Sequence, residues 1–199
     1  MKHFYIKTVD LDWQQVETDL AQWANDTEYN QSIVNTTIAW DDKLASEAQR
    51  YAQYGYTEHN TRIWKSTNQK DPLEFNWESA LVAQLPIDQG IATLTRQDPG
   101  QVLPWHVDKF YMLRRLNPDD PRMIIRFLVF FQDWDVGHLL QIGDEILYKW
   151  KRGDVYAWVQ DTHHVAANIG LTPKWTCNVT GFLTDDLLAT KLTSNKGQK

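Results

Sequence analysis

Short apolar segments separated by turn residues fill the chain from Gly90 onward, and this texture restricts the fold more than any other feature. Glycine, proline, asparagine and aspartate stand between the segments, as in Asp98-Pro99-Gly100, and these residue types favour turns. The predicted strands cover residues 91–96, 101–106, 124–131, 138–142, 145–150, 154–159, 165–169 and 175–182. Eight strands at this spacing fit a sandwich or a barrel, and a jelly roll matches their number best.

The N-terminal half has a helical pattern instead. Trp13, Val16, Leu20 and Trp23 recur at spacings of three and four, which is the apolar stripe of an amphipathic helix. The predicted helices cover residues 11–24, 42–54 and 78–85, and the polar region 56–76 is predicted to be a loop. We therefore expect the 199 residues to form one domain, mainly β with N-terminal helices: a helical buttress over 1–89, a jelly-roll core over 90–183 and a C-terminal tail over 184–199.

The composition restricts the binding partners and the cellular compartment that are expected. The formal charge is −6 and the basic residues form no dense run, so nucleic acid is disfavoured and a protein or small-molecule substrate is expected. Cys177 is the single cysteine and cannot form an intrachain disulfide, which permits a reducing compartment. The start of the chain lacks a signal-peptide pattern, and the longest apolar run, Met123 to Phe131, is too short to cross a membrane. We expect a cytoplasmic protein without a membrane segment.

Two short segments carry residues suited to a metal site. His106 and Asp108 are two residues apart, so on an extended strand both side chains leave the same face. A further histidine follows at His163 or His164; these neighbours point in opposite directions on a strand, so one of them can join the first pair. Two imidazoles and one carboxylate on one face of a metal ion form an incomplete ligand set, which leaves coordination positions open for exchangeable ligands.

Both segments resemble known motifs. In residues 100–108, Gly100 and His106 have the spacing of the first cupin motif. Asp108 stands where that motif has its second histidine. Residues 153–168 have the spacing of the second cupin motif, although Val159 and Asp161 stand where that motif has an internal proline and glycine. The resemblance covers roughly the C-terminal half of the chain and implies a double-stranded β-helix, the cupin-like form of the jelly roll.

The spacing of the second motif selects His164 over His163, because His164 lies at the motif distance from both Gly153 and Asn168. A His-x-Asp pair followed some fifty residues later by a histidine is similar to the iron site of Fe(II)- and 2-oxoglutarate-dependent oxygenases. Within that superfamily the chain most resembles small members encoded by tailed phages and, more distantly, aspartyl/asparaginyl β-hydroxylases. A phage-encoded member would act in the host cytoplasm.

This resemblance implies a chemistry and a set of ligands. Fe(II) would be held by His106, Asp108 and His164, with 2-oxoglutarate as cosubstrate and dioxygen as oxidant. Hydroxylation of the substrate, coupled to decarboxylation of 2-oxoglutarate to succinate, is the default reaction. Halogenation is disfavoured, because halogenases of this type lack a carboxylate at the position of Asp108.

The far end of a buried dicarboxylate needs a cation, because an unpaired buried charge is very costly. Related oxygenases carry Arg or Lys about ten residues after the distal histidine and Ser or Thr two residues further, which correspond here to Lys174 and Thr176. The phage-like relatives more often have Arg at the first position, and Lys offers a point charge in place of a bidentate fork. Arg126 is a competing anchor, because it is a lone charge in an apolar predicted strand; it could equally form a structural ion pair.

Other residues and other functions stay open at this point. Trp105, Tyr111 and Trp158 are candidates for lining a pocket. His138 begins a predicted strand and could approach the site, although a histidine there is more often at the surface than a ligand. The first alternative function is a cupin-type metal enzyme that does not use 2-oxoglutarate. The second is a noncatalytic jelly-roll binding protein, against which the complete set of three ligands argues.

Overall fold

The computed structural model describes residues 4–23, 30–32, 34, 42–67, 75–186 and 188–189. Within these residues the helices are α1 (Trp13–Trp23), α2 (Asp42–Gln53), α3 (Glu78–Val82) and α4 (Tyr111–Leu116). The strands are β1 (Phe4–Thr8), β2 (Asn30–Ser32), β3 (Arg62–Thr67), β4 (Ile87–Gln97), β5 (Val102–Val107), β6 (Ile124–Phe130), β7 (His138–Ile142), β8 (Glu145–Leu147), β9 (Asp154–Val159), β10 (His163–Asn168) and β11 (Lys174–Leu183).

The strands form two antiparallel sheets. One sheet has seven strands in the order β1-β9-β6-β11-β4-β3-β2, and the other has four in the order β5-β10-β7-β8. From β4 to β11 the chain passes repeatedly between the two sheets, and this is the topology of a double-stranded β-helix. The predicted fold class is confirmed, and each of the eight predicted strands corresponds to one of β4 to β11.

The central strand β6 of the seven-stranded sheet is buried on both faces. On β6, Ile125, Phe127 and Val129 face a helix-side core that also contains Val16 of α1 and Leu81 of α3. The alternate residues of β6 face the other sheet. A strand covered on both sides reads as a continuous apolar run, which explains why the sequence of β6 shows no polar alternation.

The space between the two sheets has an apolar side and a polar side. On one side lies an apolar barrel cluster of Leu128, Phe130, Leu140, Ile142, Leu147, Trp150 and Trp158. On the other side β4 and β11 contribute a row of buried polar residues, called here the polar strip: Thr95, Gln97, Lys174, Thr176 and Thr180. Side chains alternate along a strand, so Cys177 and Val179 of β11 point instead to the helix-side core.

The N-terminal part is not purely helical, which corrects the description of residues 1–89 as a helical buttress. β1, β2 and β3 all belong to the seven-stranded sheet. β3 lies within the region 56–76 that the sequence predicts to be a loop, so that prediction is wrong there. Trp64 of β3 pairs with Arg96 of β4, and this pairing with a distant strand, rather than a local pattern, makes the segment a strand.

The predicted helices exist as α1, α2 and α3 with shorter ends, whereas α4 has only six residues and shows no recognisable period. Most of the predicted tail 184–199 lies outside the described residues. Within the described part of the chain, no helix is long and apolar enough to cross a membrane.

Candidate metal centre

Pairing of β5 with β10 brings the two histidines together. His106 and His164 are direct Cα partners in this antiparallel pair, and their ring centroids are 4.1 Å apart. Asp108 follows β5 immediately, and its Oδ2 lies 3.4 Å from Nε2 of His164. One ligand atom from each of His106, Asp108 and His164 lies within 4.8 Å of the others, and no fourth His, Cys, Asp or Glu joins them among the described residues.

Both imidazole rings are fixed by backbone carbonyl groups. Nδ1 of His106 lies 2.6 Å from the carbonyl oxygen of Pro104, and Nδ1 of His164 lies 2.9 Å from that of Thr162. A carbonyl oxygen only accepts, so each Nδ1 must donate its hydrogen. In the neutral form of each ring the lone pair is then on Nε2, which is the nitrogen that can bind a metal.

The carboxylate of Asp108 is held in its ionised form. Burial alone would raise its pKa, but the positive charge of Arg126, with smaller contributions from His164 and His106, lowers the pKa to about 2. Nη1 of Arg126 donates to Oδ1 at 3.1 Å, and the indole N–H of Trp158 lies 3.4 Å from Oδ2. Asp108 is therefore an anion at neutral pH, as a metal ligand must be.

His164 is a neutral base in the same setting. Its side chain is 5% exposed, and burial lowers its pKa to about 4 although the charge of Asp108 opposes the change. His163 is exposed and stacks on Trp105, with ring centroids 5.7 Å apart. The structure therefore brings His164, and not His163, next to His106.

Lys174 lies at one end of the polar strip, and Thr180, which contacts Arg126, lies at the other. The residue is 3% exposed, and its ammonium group donates to the carbonyl oxygens of Leu139 at 2.9 Å and Ala167 at 3.0 Å. No carboxylate among the described residues forms a salt bridge with it. Burial lowers its pKa to about 7, since the charged form loses its hydration without gaining a counter-ion.

The other two predicted cosubstrate residues have separate positions. Thr176 is buried in the polar strip, where its hydroxyl group is 2.7 Å from that of Thr95. Arg126 lies at the metal end, where Nε donates to the hydroxyl of Thr180 at 3.1 Å while Nη1 binds Asp108. The ion pair that the sequence offered as an alternative for Arg126 therefore exists, and its acid is the predicted metal ligand.

Several features of the site have no signal in the sequence. The carbonyl groups of Pro104 and Thr162 are backbone atoms, and their positions depend on the backbone path within β5 and just before β10. His138 is 3% exposed, so the expectation of a surface position is wrong. Trp158 lies in the site as expected, whereas Trp105 lies on the outer face with His163. The side chain of Tyr111 lies outside the described part of the structure.

This donor set suits a divalent transition metal. Two neutral imidazoles and one carboxylate converge from one side, which is the 2-His-1-carboxylate pattern that non-haem Fe(II) enzymes use. A structural zinc site would need a fourth protein ligand. Among the described residues these three ligands stand alone, and a metal ion bound by them would keep coordination positions for exchangeable ligands.

In sequence, the chain matches no protein-family model and no curated protein. Among solved structures it is similar to a prolyl-4-hydroxylase from Pseudomonas putida, with 15% identity, a TM-score of 0.43 and coverage of 86% of this chain and 98% of that one. It is also similar to KdgF from Halomonas sp., with 13% identity, a TM-score of 0.38 and coverage of 63% and 83%. It is similar as well to a Cupin 2 conserved barrel domain protein from Salinispora arenicola, with 10% identity, a TM-score of 0.38 and coverage of 68% of this chain and 86% of that one. These likenesses concern the fold alone.

Proposed function

We propose that the protein is a non-haem Fe(II)- and 2-oxoglutarate-dependent oxygenase, with hydroxylation as its reaction. One observation carries the proposal: an open set of three metal ligands and a buried cation without a carboxylate partner share the same space between the sheets. His106, Asp108 and His164 would hold the iron. Lys174 would bind the far carboxylate of 2-oxoglutarate.

The separation of the two ends supports this ligand. The ammonium of Lys174 binds the carbonyl of Ala167, which is three residues from His164 on β10. At ~3.3 Å per residue, the two positions are ~10 Å apart along the strand. An extended five-carbon dicarboxylate, with a metal–oxygen bond at one end and a charge-assisted hydrogen bond at the other, also spans about 10 Å.

The electrostatics of Lys174 favour an anion. In the free protein its pKa is lowered to about 7, because burial penalises the ammonium. A carboxylate beside it would restore the charged form and form a buried ion pair. Thr176 lies two residues away on the same face of β11 and offers a hydroxyl group to the same ligand.

Arg126 has a different role at the metal end. Its contact with Asp108 keeps that carboxylate ionised and oriented, and its Nη2 has no hydrogen-bond partner among the described residues. Arg126 would therefore act on a group close to the metal, and Lys174 is the main anchor of the cosubstrate tail. Bound iron and 2-oxoglutarate would supply the oxidation, in which dioxygen gives one oxygen atom to succinate and one to the substrate.

The direct test is binding of the cosubstrate to the metal. Fe(II)-loaded protein, mixed anaerobically with 2-oxoglutarate, should develop a metal-to-ligand charge-transfer band. His106→Ala should abolish the band because a ligand is lost, and Lys174→Ala should weaken it at a given cosubstrate concentration. Lys151→Ala, at a side chain 72% exposed, is the matched control and should leave it unchanged. A fully metallated wild type without the band would overturn the proposal.

One observation favours a second function, a cupin-type metal enzyme that does not use 2-oxoglutarate. Two of the three N–H donors of Lys174 already bind backbone carbonyls, as they would in a purely structural role. Succinate release separates the two functions, because oxygenases of the proposed type turn over slowly without substrate. Metal binding with neither the band nor succinate would favour the cupin-type enzyme. Absence of metal binding would leave the noncatalytic jelly roll.

The substrate is proposed to be a protein side chain or a small molecule. The net charge of −6 disfavours nucleic acid, and the resemblance to aspartyl/asparaginyl hydroxylases favours a side chain. Membership of the phage-encoded group and action in the cytoplasm stay predictions. Capture of partners with His106→Ala, followed by mass spectrometry for a gain of one oxygen after incubation with the wild type, would identify the substrate.

A further inference from the structure

His138 is a buried histidine at the Lys174 end of the space between the sheets. It begins β7 and is the Cα partner of Asn168 on β10. The burial of β7 alternates, with His138, Leu140 and Ile142 facing the interior. At 3% exposure the imidazole is withdrawn from solvent, although neither the metal site nor the helix-side core uses it.

The ring of His138 is held in one orientation. Nε2 lies 3.0 Å from the carbonyl oxygen of Thr172, so this nitrogen donates. The imidazole is parallel to the indole of Trp150, with 11° between the planes and 6.5 Å between the centroids. Nδ1 is buried and finds no hydrogen-bond partner among the described residues. An unsatisfied buried polar atom of this kind requires an explanation.

Lys174 is the nearby cation. Its ammonium binds the carbonyl of Leu139, the residue that follows His138, and that of Ala167, the residue that precedes Asn168. An unpartnered imidazole nitrogen and an ammonium without a carboxylate therefore lie at the same end of the polar strip. We propose that His138 is a second binding residue for the distal carboxylate of 2-oxoglutarate, beside Lys174. This inference rests on the proposed function.

Binding of the carboxylate requires His138 to take up a proton. In the free protein, burial and the charge of Lys174 lower the pKa of His138, whereas the contact with Thr172 and the charge of Asp135 in the β6–β7 turn act in the opposite direction. A neutral ring presents a lone pair at Nδ1, which repels a carboxylate. When the dicarboxylate binds, one proton passes from solvent to Nδ1, and the imidazolium then donates to the carboxylate; no covalent bond between heavy atoms changes.

The experiment compares the wild type with His138→Gln. The glutamine amide nitrogen occupies the place of Nε2 and keeps a donor for Thr172, while the Nδ1 position is lost. Calorimetric titration of the anaerobic Fe(II) protein with 2-oxoglutarate should show a Kd about tenfold higher for the variant, the effect of one charge-assisted hydrogen bond. His59→Gln, at an exposed histidine outside the barrel, should bind like the wild type.

Two further readouts separate a binding role from a structural one. The affinity for 2-oxobutyrate, which lacks the distal carboxylate, should be equal in the wild type and His138→Gln, and this equality also shows that the variant is folded. Titrations at pH 8 in buffers of different ionisation enthalpy should show about one proton fewer taken up per 2-oxoglutarate by the variant. Equal affinity and equal proton uptake would overturn the role of His138 while leaving the proposed function. A wild type that does not bind 2-oxoglutarate would overturn both.

Discussion

His163 and His164 differ by one position in the chain and face opposite sides of the four-stranded sheet. The sequence presents both as candidates, and only the spacing to Gly153 and Asn168 favours the second. In the folded protein His164 pairs with His106 across β5 and β10, and His163 stacks outside on Trp105. The alternation of side chains along a strand makes this choice all-or-none.

This difference gives a matched pair of variants. His164→Ala should lower the affinity for Fe(II) or Co(II) by at least about 100-fold, because a direct ligand is lost. His163→Ala should bind metal like the wild type. Metal content after dialysis, measured by elemental analysis, checks both. A similar loss in the two variants would mean that the metal lies elsewhere.

The buried Lys174 makes the stability of the folded protein depend on pH, and its pKa gives the direction of this dependence. Its pKa is about 7 in the folded protein and 10.5 in an ordinary environment, so the unfolded chain binds the proton more tightly. The charged lysine therefore costs stability fully below pH 7, and this cost disappears as the pH rises towards 10.5. Without metal or cosubstrate, Lys174→Met should therefore be stabilised relative to the wild type most at pH 7 and below.

The relative stability of Lys174→Met should fall by about 1.4 kcal/mol for each pH unit above 7. Urea unfolding of the metal-free proteins at pH 7, 8 and 9 provides the measurement. Lys151→Met removes an exposed ammonium and should show no such trend. Parallel stability curves for the wild type and Lys174→Met would show that Lys174 keeps its ordinary pKa in the folded state.

At the scale of elements, two turns meet beside Lys174. Gly137, before β7, has φ +91°, and a Cβ there would overlap the backbone of Gly170 in the β10–β11 turn. The amide of Ile169 donates to the carbonyl of Gly137 at 2.9 Å, which joins the same two turns. This contact joins the turn before His138 to the turn before Lys174. Local sequence does not predict this contact, because it joins segments that are distant in the chain.

Gly100 provides the control for a prediction at these turns. It has φ +86°, and a Cβ there would meet nothing within 4 Å. Gly100→Ala should cost about 1 kcal/mol of unfolding free energy, from backbone strain alone. Gly137→Ala should cost about 1–3 kcal/mol more, because the added carbon overlaps the neighbouring backbone. Equal costs in urea unfolding would mean that the two turns move apart without penalty.

At the scale of the whole molecule, the N-terminal part and the jelly roll share one core. Val16 of α1 and Leu81 of α3 pack against the same face of the seven-stranded sheet as Phe127 and Val179. β1 and β3 extend that sheet at its two sides. The division into a buttress over 1–89 and a core over 90–183 therefore separates residues that bury one another.

A fragment of residues 90–183 should accordingly fail to fold alone. It would expose the outer face of the seven-stranded sheet to water and would lack the first residues of β4, which starts at Ile87. We expect strong binding of a hydrophobic dye and no cooperative thermal transition, in contrast to the full chain. A cooperative transition in the fragment would show that the N-terminal part is dispensable for the fold.

The sequence by itself determined the strand segments of the jelly roll and its fold class, because alternation and turn residues are local properties of the chain. It also gave the candidate ligands His106, Asp108 and His164, through the resemblance of two short segments to known motifs. Tertiary structure decided what local pattern does not contain. It made β3 a strand by pairing it with β4, it joined Arg126 to Asp108, and it buried His138 at the Lys174 end. Each of these depends on contacts between distant segments, and such contacts exist once the two sheets have closed on each other.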